Sequence, residues 1–580
     1  MDDSVSLLTK MVSGATSPSQ GAVEGSQKVV AALGHLALAV VQAGAYIRES
    51  SCTLPEYLDI YERWQNTLLQ ELPKHLGTDY QESVYTTWQI SVDMIESRHD
   101  TVSGQTLRLL ELLGFYNYEQ IPLQMFYNAC GMIQDEEDAS CYLPRHESGA
   151  DCFNYRRLVQ NSVRLLASFS LIGRNSDASL SLHPLVHKWC QDRLIKGQKG
   201  PAYRRALLLL AGAVEWRFET GNYDFRRSLV PHVHELLQFR THQIEVGEEE
   251  RMKAWPVLAL ILLENGWAKD AVLLLEEVLQ LQNSKLGENH SDTLPTMHDL
   301  ATAYGHAGRH MEAAKLSEKV LELRMNKLGE DHIETLQSME NLALDLSSAQ
   351  QITESLELSE KVVTLFKSKL GEDHSDTLHS MHNLAIYYCD ARRLTEALQL
   401  AEEVVQLCKT RLGEEHPDTL SSMHSLAIRY SQAGRLTEAL QLAEEVVPLR
   451  KSKLGEDHPD TLLSMNNLAS NYNKAGRHIE ALELHEEVLR LRKGRLGEDH
   501  LHTLHSMYHL AVAYDDAGRK TEALQLIKEE LQIRKSKFGE DDPDTLRSIE
   551  FHAELMEERH SERHGLAKIW HKLRSRGGAD

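Results

Sequence analysis

The residues that could do chemistry in this chain are histidines and cysteines. Its 580 residues include 30 His and 7 Cys. His183, His187 and Cys190 fall at i, i+4 and i+7, on one face of a helix, and zinc would accept that set. The competing and favoured reading is an amphipathic helix that buries this face. His560 and His564 also share a face, with His571 as a third ligand, but the glutamate of a zinc protease is missing. Cys130, Cys141 and Cys152 are spaced by eleven residues, which matches no compact zinc site. No Gly-x-Ser-x-Gly turn presents a nucleophile. No Gly-Lys pair exists, so no Gly-x-x-x-x-Gly-Lys loop can cradle phosphates. The expectation is a non-enzymatic chain with no catalytic residues, no metal and no cofactor.

Composition narrows the partners. Lys plus Arg number 62 against 86 Asp plus Glu, a net charge of −24. Nucleic-acid binders usually carry a basic domain, so nucleic acid is not expected. The basic end His560–Asp580 reads as a solvated terminus. A hydrophobic share of 42% supports packed cores. Cysteines without paired short spacing argue against a secreted disulfide scaffold, and Met1-Asp2-Asp3 opens no secretory signal. The stretch Val29–Ile47 is uncharged but rich in Ala and Gly, and it contains His35 and Gln42. Its length is marginal for a membrane span, so a buried helix is expected there. The reading is a soluble, cytoplasmic protein with no membrane partner.

The elements that would position any site are set by an internal repeat. Gly287, Gly329, Gly371, Gly413, Gly455, Gly497 and Gly539 lie 42 residues apart. Each is followed by Glu and usually Asp-His, then by a Thr-Leu pair. In the unit Gly455–Leu496, Leu462, Met465, Leu468, Ala469 and Tyr472 step by threes and fours along one helix face. Ala475-Gly476-Arg477 breaks that helix, because Gly476 can adopt the left-handed conformation. Ala481, Leu482, Leu484, Val488, Leu489 and Leu491 form the stripe of a second helix. Pro459 and Asp460 suit the first turn of the next one. A hairpin of this kind exposes more apolar surface than it can bury alone, so neighbours must stack into a solenoid. Small Ala313, Ala397, Ala439, Ala481 and Ala523 let paired helices approach closely.

This pattern strongly resembles tetratricopeptide repeats of the kinesin-light-chain type. The residues that carry it are Gly455–Leu462, Asn467-Leu468-Ala469, Tyr472, Ala475-Gly476-Arg477 and Glu480-Ala481-Leu482. The resemblance implies an all-α, right-handed tetratricopeptide superhelix over 251–580, with full units in Gly287–Phe538 and a degenerate one at Trp255–Leu286. The unit from Gly329 departs most, with Leu346 in place of Tyr and Ala349-Gln350-Gln351 in place of Ala-Gly-Arg. A local change of superhelical angle is expected there.

No such period exists before about residue 250. Pro184, Pro201 and Pro231 punctuate helical stretches. Leu107–Leu113 and Ile121–Phe126 read as a helix pair. Tyr155–Leu171, a turn at Gly173–Ser179 and Leu180–Leu194 read as helix, short hairpin, helix. Leu33-Gly34-His35-Leu36-Ala37-Leu38-Ala39 looks like the motif that opens the helical subdomain of NB-ARC proteins, with Ala37 where that family has proline. Leu182-His183-Pro184-Leu185-Val186-His187-Lys188-Trp189 looks like the end of that family's winged-helix module. His183 matches the family's nucleotide-sensing His, though its flanks differ. The expected organisation is an ARC-like helical subdomain over 1–95, a winged-helix-like module over 96–200, a helical spacer over 201–250 and the array over 251–580. The nucleotide-binding core of such a receptor would lie upstream of Met1.

The groove is where binding is expected. In tetratricopeptide arrays the first helix of each hairpin lines the concave side. Counting the Thr as zero, position 5 holds His298, Glu340, His382, His424, Asn466 and Tyr508. Position 6 holds Asp299, Asn341, Asn383, Ser425, Asn467 and His509. Position 9 holds Thr302, Leu344, Ile386, Ile428, Ser470 and Val512. An Asn amide both donates and accepts, so it can clamp a peptide backbone in either direction. By resemblance, Asn341, Asn383 and Asn467 match residues that hold an extended peptide in kinesin light chains; the other reading is that they bridge adjacent hairpins. The candidate groove residues are His298, Asn341, His382, Asn383, His424, Asn466, Asn467, Tyr508 and His509. No row of Lys and Arg lines this groove, which argues against a carboxylate clamp. With ordinary imidazole pKa values, binding would respond to pH near 6.5.

The expected function is an interaction protein, the ligand-sensing and regulatory half of an NLR-like signalling receptor. Its partners would be a protein or extended peptide ligand and a separate nucleotide-binding domain. The alternative is a kinesin-light-chain-like cargo or adaptor scaffold. That family needs a heptad coiled coil ahead of its repeats, and 1–250 has no sustained heptads.

Overall fold

The computed structural model describes residues 3–13, 20–71, 79–129, 152–194, 196–214, 223–239, 246–540 and 542–557. They divide into two compact units, Met1–Ile261 and Leu262–Asp580.

The first unit opens with helices Asp3–Ser13, Gln20–Ala32, Ala37–Ser50, Leu54–Glu71 and Asp79–Glu96. The uncharged stretch expected as one helix is two. Gly34 (φ 63°) and His35 (φ 58°) break it, and Leu36 is extended ahead of Ala37. No helix among the described residues is long and apolar enough to cross a membrane. Gln42 sits fully buried because its amide donates to the Phe169 carbonyl. Trp88 packs on Trp189 with ring centroids 5.6 Å apart.

Thr101–Leu113 follows, then β1 (Ile121–Pro122), Leu123–Ala129, Cys152–Ser168, β2 (Gly173–Arg174), β3 (Ser179–Ser181) and Pro184–Asp192. The strands form a small antiparallel sheet in the order β1-β3-β2, with Ile121 opposite Leu180 and Gly173 opposite Ser181. Ile121 and Pro122 were expected in a helix. Pro122 holds its predecessor extended and has no N–H to donate, so the pair sits on the sheet edge and the chain turns helical only at Leu123. Lys196–Gly212, Tyr223–Phe239 and Glu248–Glu264 complete this part. Pro184 opens a helix, but Pro201 and Pro231 lie inside theirs, each removing one backbone bond.

The second unit is a stack of helical hairpins behind a leading helix, Ala268–Lys285. Hairpin 1 is Thr293–His306 with His310–Leu328, and hairpin 2 is Ile333–Ser348 with Ile352–Leu370. Hairpin 3 is Ser375–Asp390 with Leu394–Leu412, and hairpin 4 is Pro417–Gln432 with Leu436–Leu454. Hairpin 5 is Pro459–Lys474 with His478–Leu496, and hairpin 6 is Leu501–Asp516 with Lys520–Lys537. A helix over 543–557 trails them. The core is shared between neighbours. Ala427, Ala443 and Val447 of hairpin 4 pack with Leu462, Met465, Leu468 and Val488 of hairpin 5.

Three local devices recur with the period. The outer helices of hairpins 1 to 5 each end at a glycine, such as Gly371 at φ 96°, ψ 161°. The next inner helix is capped by an imidazole. His332, His374, His416, His458 and His500 each accept the N–H two residues on through Nδ1. The seventh copy, Asp542, caps Thr545 with its carboxylate (2.9 Å). The third device is a staple. In hairpin 5, Tyr472 Oη donates to Glu444 of the previous outer helix (2.9 Å), and the Arg477 guanidinium lies over the Tyr472 ring (4.0 Å) while bonding Glu444 and Glu480. The same Tyr-Arg pair is built at hairpins 1, 3, 4 and 6. Hairpin 2, with Leu346 and Gln351, lacks it.

The array also returns on itself. Lys269 Nζ of the leading helix donates to the Phe538 carbonyl (3.2 Å), and Lys537 lies over the Trp267 ring (5.3 Å). The Phe538 ring comes so near Gly266 that a Cβ there would stand 3.5 Å from it.

The turn inside each hairpin generates a stability prediction. Gly308, Gly434, Gly476 and Gly518 take φ near 75°, but the equivalent residues in hairpins 2 and 3 are Gln350 (φ 63°) and Arg392 (φ 60°). Left-handed backbone costs a side chain more than it costs glycine. Gln350→Gly and Arg392→Gly should each stabilise the protein by about 0.5–1 kcal/mol, read by urea titration; a loss of stability in both would contradict the strain.

Candidate partner-binding surface

Positions 5 and 6 of successive inner helices meet across the gap between hairpins. The Asn341 amide lies 3.4 Å from His298 Nδ1, and the Asn467 amide lies 3.1 Å from His424 Nε2. In both cases a position-6 Asn reaches back to a position-5 His of the previous hairpin. His424 is further held by the Ser464 hydroxyl at 3.2 Å. Asn466 is buried and takes His485 as partner (3.1 Å). Asn341 and Asn467 thus serve as bridges, while the Asn383 amide makes no hydrogen bond among the described residues. Tyr508 packs on Phe551, and the exposed His509 ring stacks parallel to His485, 6.2 Å between centroids. His382 is half-buried and its ring has no hydrogen bond among the described residues.

Apolar surface lies beside this lane. Leu344 at position 9 of hairpin 2 is 56% exposed, and Leu463 at position 2 of hairpin 5 is 45% exposed. Charge is divided along the array. Hairpins 1 and 2 place Asp299, Glu340 and Asp345 half-buried. Ser380 donates to Glu340 and Ser317 donates to Asp345 (2.6 Å), and burial raises all three carboxyls, Asp299 to about 6. Hairpins 4 and 5 instead bury the guanidiniums of Arg429, Arg450 and Arg492. Arg450 reaches the Asp460 carbonyl and the hydroxyls of Ser464 and Ser421, and Arg492 reaches the His502 carbonyl and Ser506. These arginines were missed in the sequence. Arg429 stands at position 10, where the copies read Ala303, Asp345, Tyr387, Arg429, Asn471 and Ala513. That variation, two residues after an alanine common to all six copies, was the available signal.

The zinc reading of the first unit dissolves into packing. His183 caps its helix, accepting the Leu185 N–H at 3.2 Å as the repeat histidines do. His187 bonds the Tyr116 carbonyl (2.8 Å), and Cys190 is buried. No cluster of three potential ligands occurs among the described residues. His560, His564 and His571 lie outside them, as do Cys130 and Cys141.

With this geometry in view, the family is plain: the chain belongs to the tetratricopeptide-repeat proteins. The tetratricopeptide repeat model matches residues 251–326, 301–368, 334–410, 376–452, 430–494 and 460–536. The array is of the kinesin-light-chain type. It is 34% identical to the nearly identical TPR-like repeats of a Podosopora anserina kinesin light chain, covering 35% of this chain and 96% of that one, TM-score 0.32. BtubC from P. vanneervenii is 17% identical over 40% of this chain and 92% of its own, TM-score 0.33. A signal transduction ATPase with a tetratricopeptide repeat sensor, from Pyrococcus horikoshii, is 13% identical over 92% of this chain and 72% of its own, TM-score 0.38. A comparison with curated proteins gives no match.

The bridging histidines set a pH dependence. Burial lowers His424 and His485 to about 3 and His382 to about 4, so these rings stay neutral through pH 6.5, where ordinary imidazoles titrate. A folded pKa below the unfolded one means their contribution is complete above about pH 6.5 and is lost as pH falls toward the folded values. Asp299, raised to about 6, opposes this weakly. At pH 5.5, buried His424 and His485 should each cost about 1 kcal/mol of stability relative to pH 7.5. Melting temperatures across pH 7.5 to 5.5 test this, and a flat profile contradicts it.

Proposed function

We propose that this chain is an interaction protein, the ligand-sensing and regulatory half of an NB-ARC-like receptor, whose array takes an extended peptide or protein segment on its inner helices. The observation that carries the reading is the mixed lane on those helices. The unpartnered Asn383 amide and the open His382 ring lie along the same face as exposed Leu344. An extended backbone needs such donor–acceptor groups, and its side chains need apolar seats. The receptor half of the proposal rests on the first 250 residues. Their motif at Leu33–Ile47 and the order helix, strand, helix, helix, strand, strand between 101 and 181 fit a helical subdomain followed by a winged-helix-like module. In this reading a separate partner domain handles the nucleotide, since the chain carries no Gly-Lys phosphate loop.

A displayed library of random peptides, panned against the full chain, tests the groove. Enriched peptides should lose at least about tenfold in affinity for the double variant Asn383→Ala, Leu344→Asp. Equal binding to that variant would place the partner surface elsewhere. Calorimetry with ATP and ADP tests the second half: specific binding of either by this chain would overturn it.

A further inference from the structure

The repeat itself exposes a site where its own symmetry fails. Between hairpins 1 and 2, and again between 4 and 5, a position-5 His is met by a position-6 Asn of the next hairpin. Between hairpins 3 and 4 the histidine is present as His382, but the Asn position is Ser425. A serine side chain is too short to span the gap that an asparagine amide closes. Consequently the His382 ring has no hydrogen bond among the described residues, and neither ring nitrogen is sealed from solvent.

A cation lies beside this gap. Arg429, on the inner helix of hairpin 4, is only 7% exposed. Its Nη1 donates to the Gln432 side chain (2.7 Å), its Nε is buried without a partner, and its Nη2 has neither partner nor seal. No carboxylate pairs with it among the described residues, whereas each staple arginine of the array has at least one. Its charge is felt by both neighbouring rings, His382 and His424. A buried guanidinium without an anion is costly to keep, and that cost is recovered only when an anion arrives.

We propose that hairpins 3 and 4 form an anion-binding subsite in which the Arg429 guanidinium, the His382 ring and the Ser425 hydroxyl take a carboxylate or phosphate group carried by the partner. This rests on the reading of the inner-helix face as the binding surface and specifies its ligand chemistry. Ser425 and Arg429 stand one turn apart on the same inner helix, and His382 holds the position of hairpin 3 that an Asn of the next hairpin meets in the other pairs. A lone buried arginine differs from a row of basic side chains, so the subsite recognises one anionic group at one register and fixes where along the groove the segment sits.

The probes are inorganic phosphate and acetate, each compared with chloride at equal ionic strength on the full chain. The wild-type melting temperature should rise by on the order of 2 °C in at least one of them. A rise in phosphate alone assigns a phosphoryl group, and a rise in acetate alone assigns a carboxylate. Arg429→Met should melt higher than wild type in chloride, because the unpaired charge is gone, and should lose the anion response. Arg429→Lys should keep part of it. No rise in either anion, or Arg429→Met melting lower in chloride, or Arg429→Met retaining the response, each overturns the subsite. Enriched library peptides indifferent to Arg429→Met would also overturn it while leaving the groove reading intact.

Discussion

The corner between consecutive hairpins turns at a glycine with φ near 90° and ψ near 160°, as at Gly329, Gly413 and Gly455. That region of backbone space is closed to side chains, so the residue type at this point is dictated by geometry alone. The rest of the unit hangs on the direction in which the chain leaves it. Thr377 and Thr419 tie back by donating to the carbonyls of Gly371 and Gly413 (both 2.8 Å). The imidazole two residues before each Asp or Glu N–H then starts the inner helix. Because the corner repeats within a few degrees, the stacking angle repeats, and small residues such as Ala397, Ala439 and Ala481 are fully buried in every copy.

The Tyr-Arg staple fastens the opposite end of each inner helix to the outer helix before it. A guanidinium on an aromatic face with a carboxylate on each side is satisfied both as cation and as donor. Corner and staple together fix both ends of the inner helix in every hairpin but the second, which leaves the middle of that helix free to vary. Positions 5, 6, 9 and 10 occupy that middle. The scaffold is uniform while the lane it carries differs from hairpin to hairpin. Hairpin 2 keeps its corner but has no staple; that end of its inner helix is held by the packing of Leu346 and by the hydrogen bond from Ser317 of the previous outer helix to Asp345.

Period and hairpin boundaries were legible in the sequence because they follow from spacing and from glycine. The role of the repeated histidine was not. Imidazole is not among the residues expected to cap helices, and only the Nδ1 geometry reveals that it stands in for the Asp of the seventh copy. The two readings of the position-6 asparagines could not be separated without knowing which residue of the previous hairpin each one faces. The structure divides them, with Asn341 and Asn467 bridging and Asn383 open. Arg429 escaped for a similar reason: whether a lone arginine has a carboxylate partner is a three-dimensional fact. In the first 250 residues, Ile121-Pro122 shows the limit of helical spacing, since two residues became a strand through a single proline.

The contact between the leading helix and Phe538 has a consequence for the mechanics of the array. An open solenoid can gain or lose curvature at any layer, and its ends simply move. Here the ends meet, through Lys269, Trp267, Lys537 and Phe538. The stacking angles between them are therefore no longer independent, and their sum must bring the chain round to the same point. An error at one layer has to be cancelled by the others or it separates the two ends. The seam thus acts as a gauge of total curvature, sensitive to a change too small to see at any one hairpin.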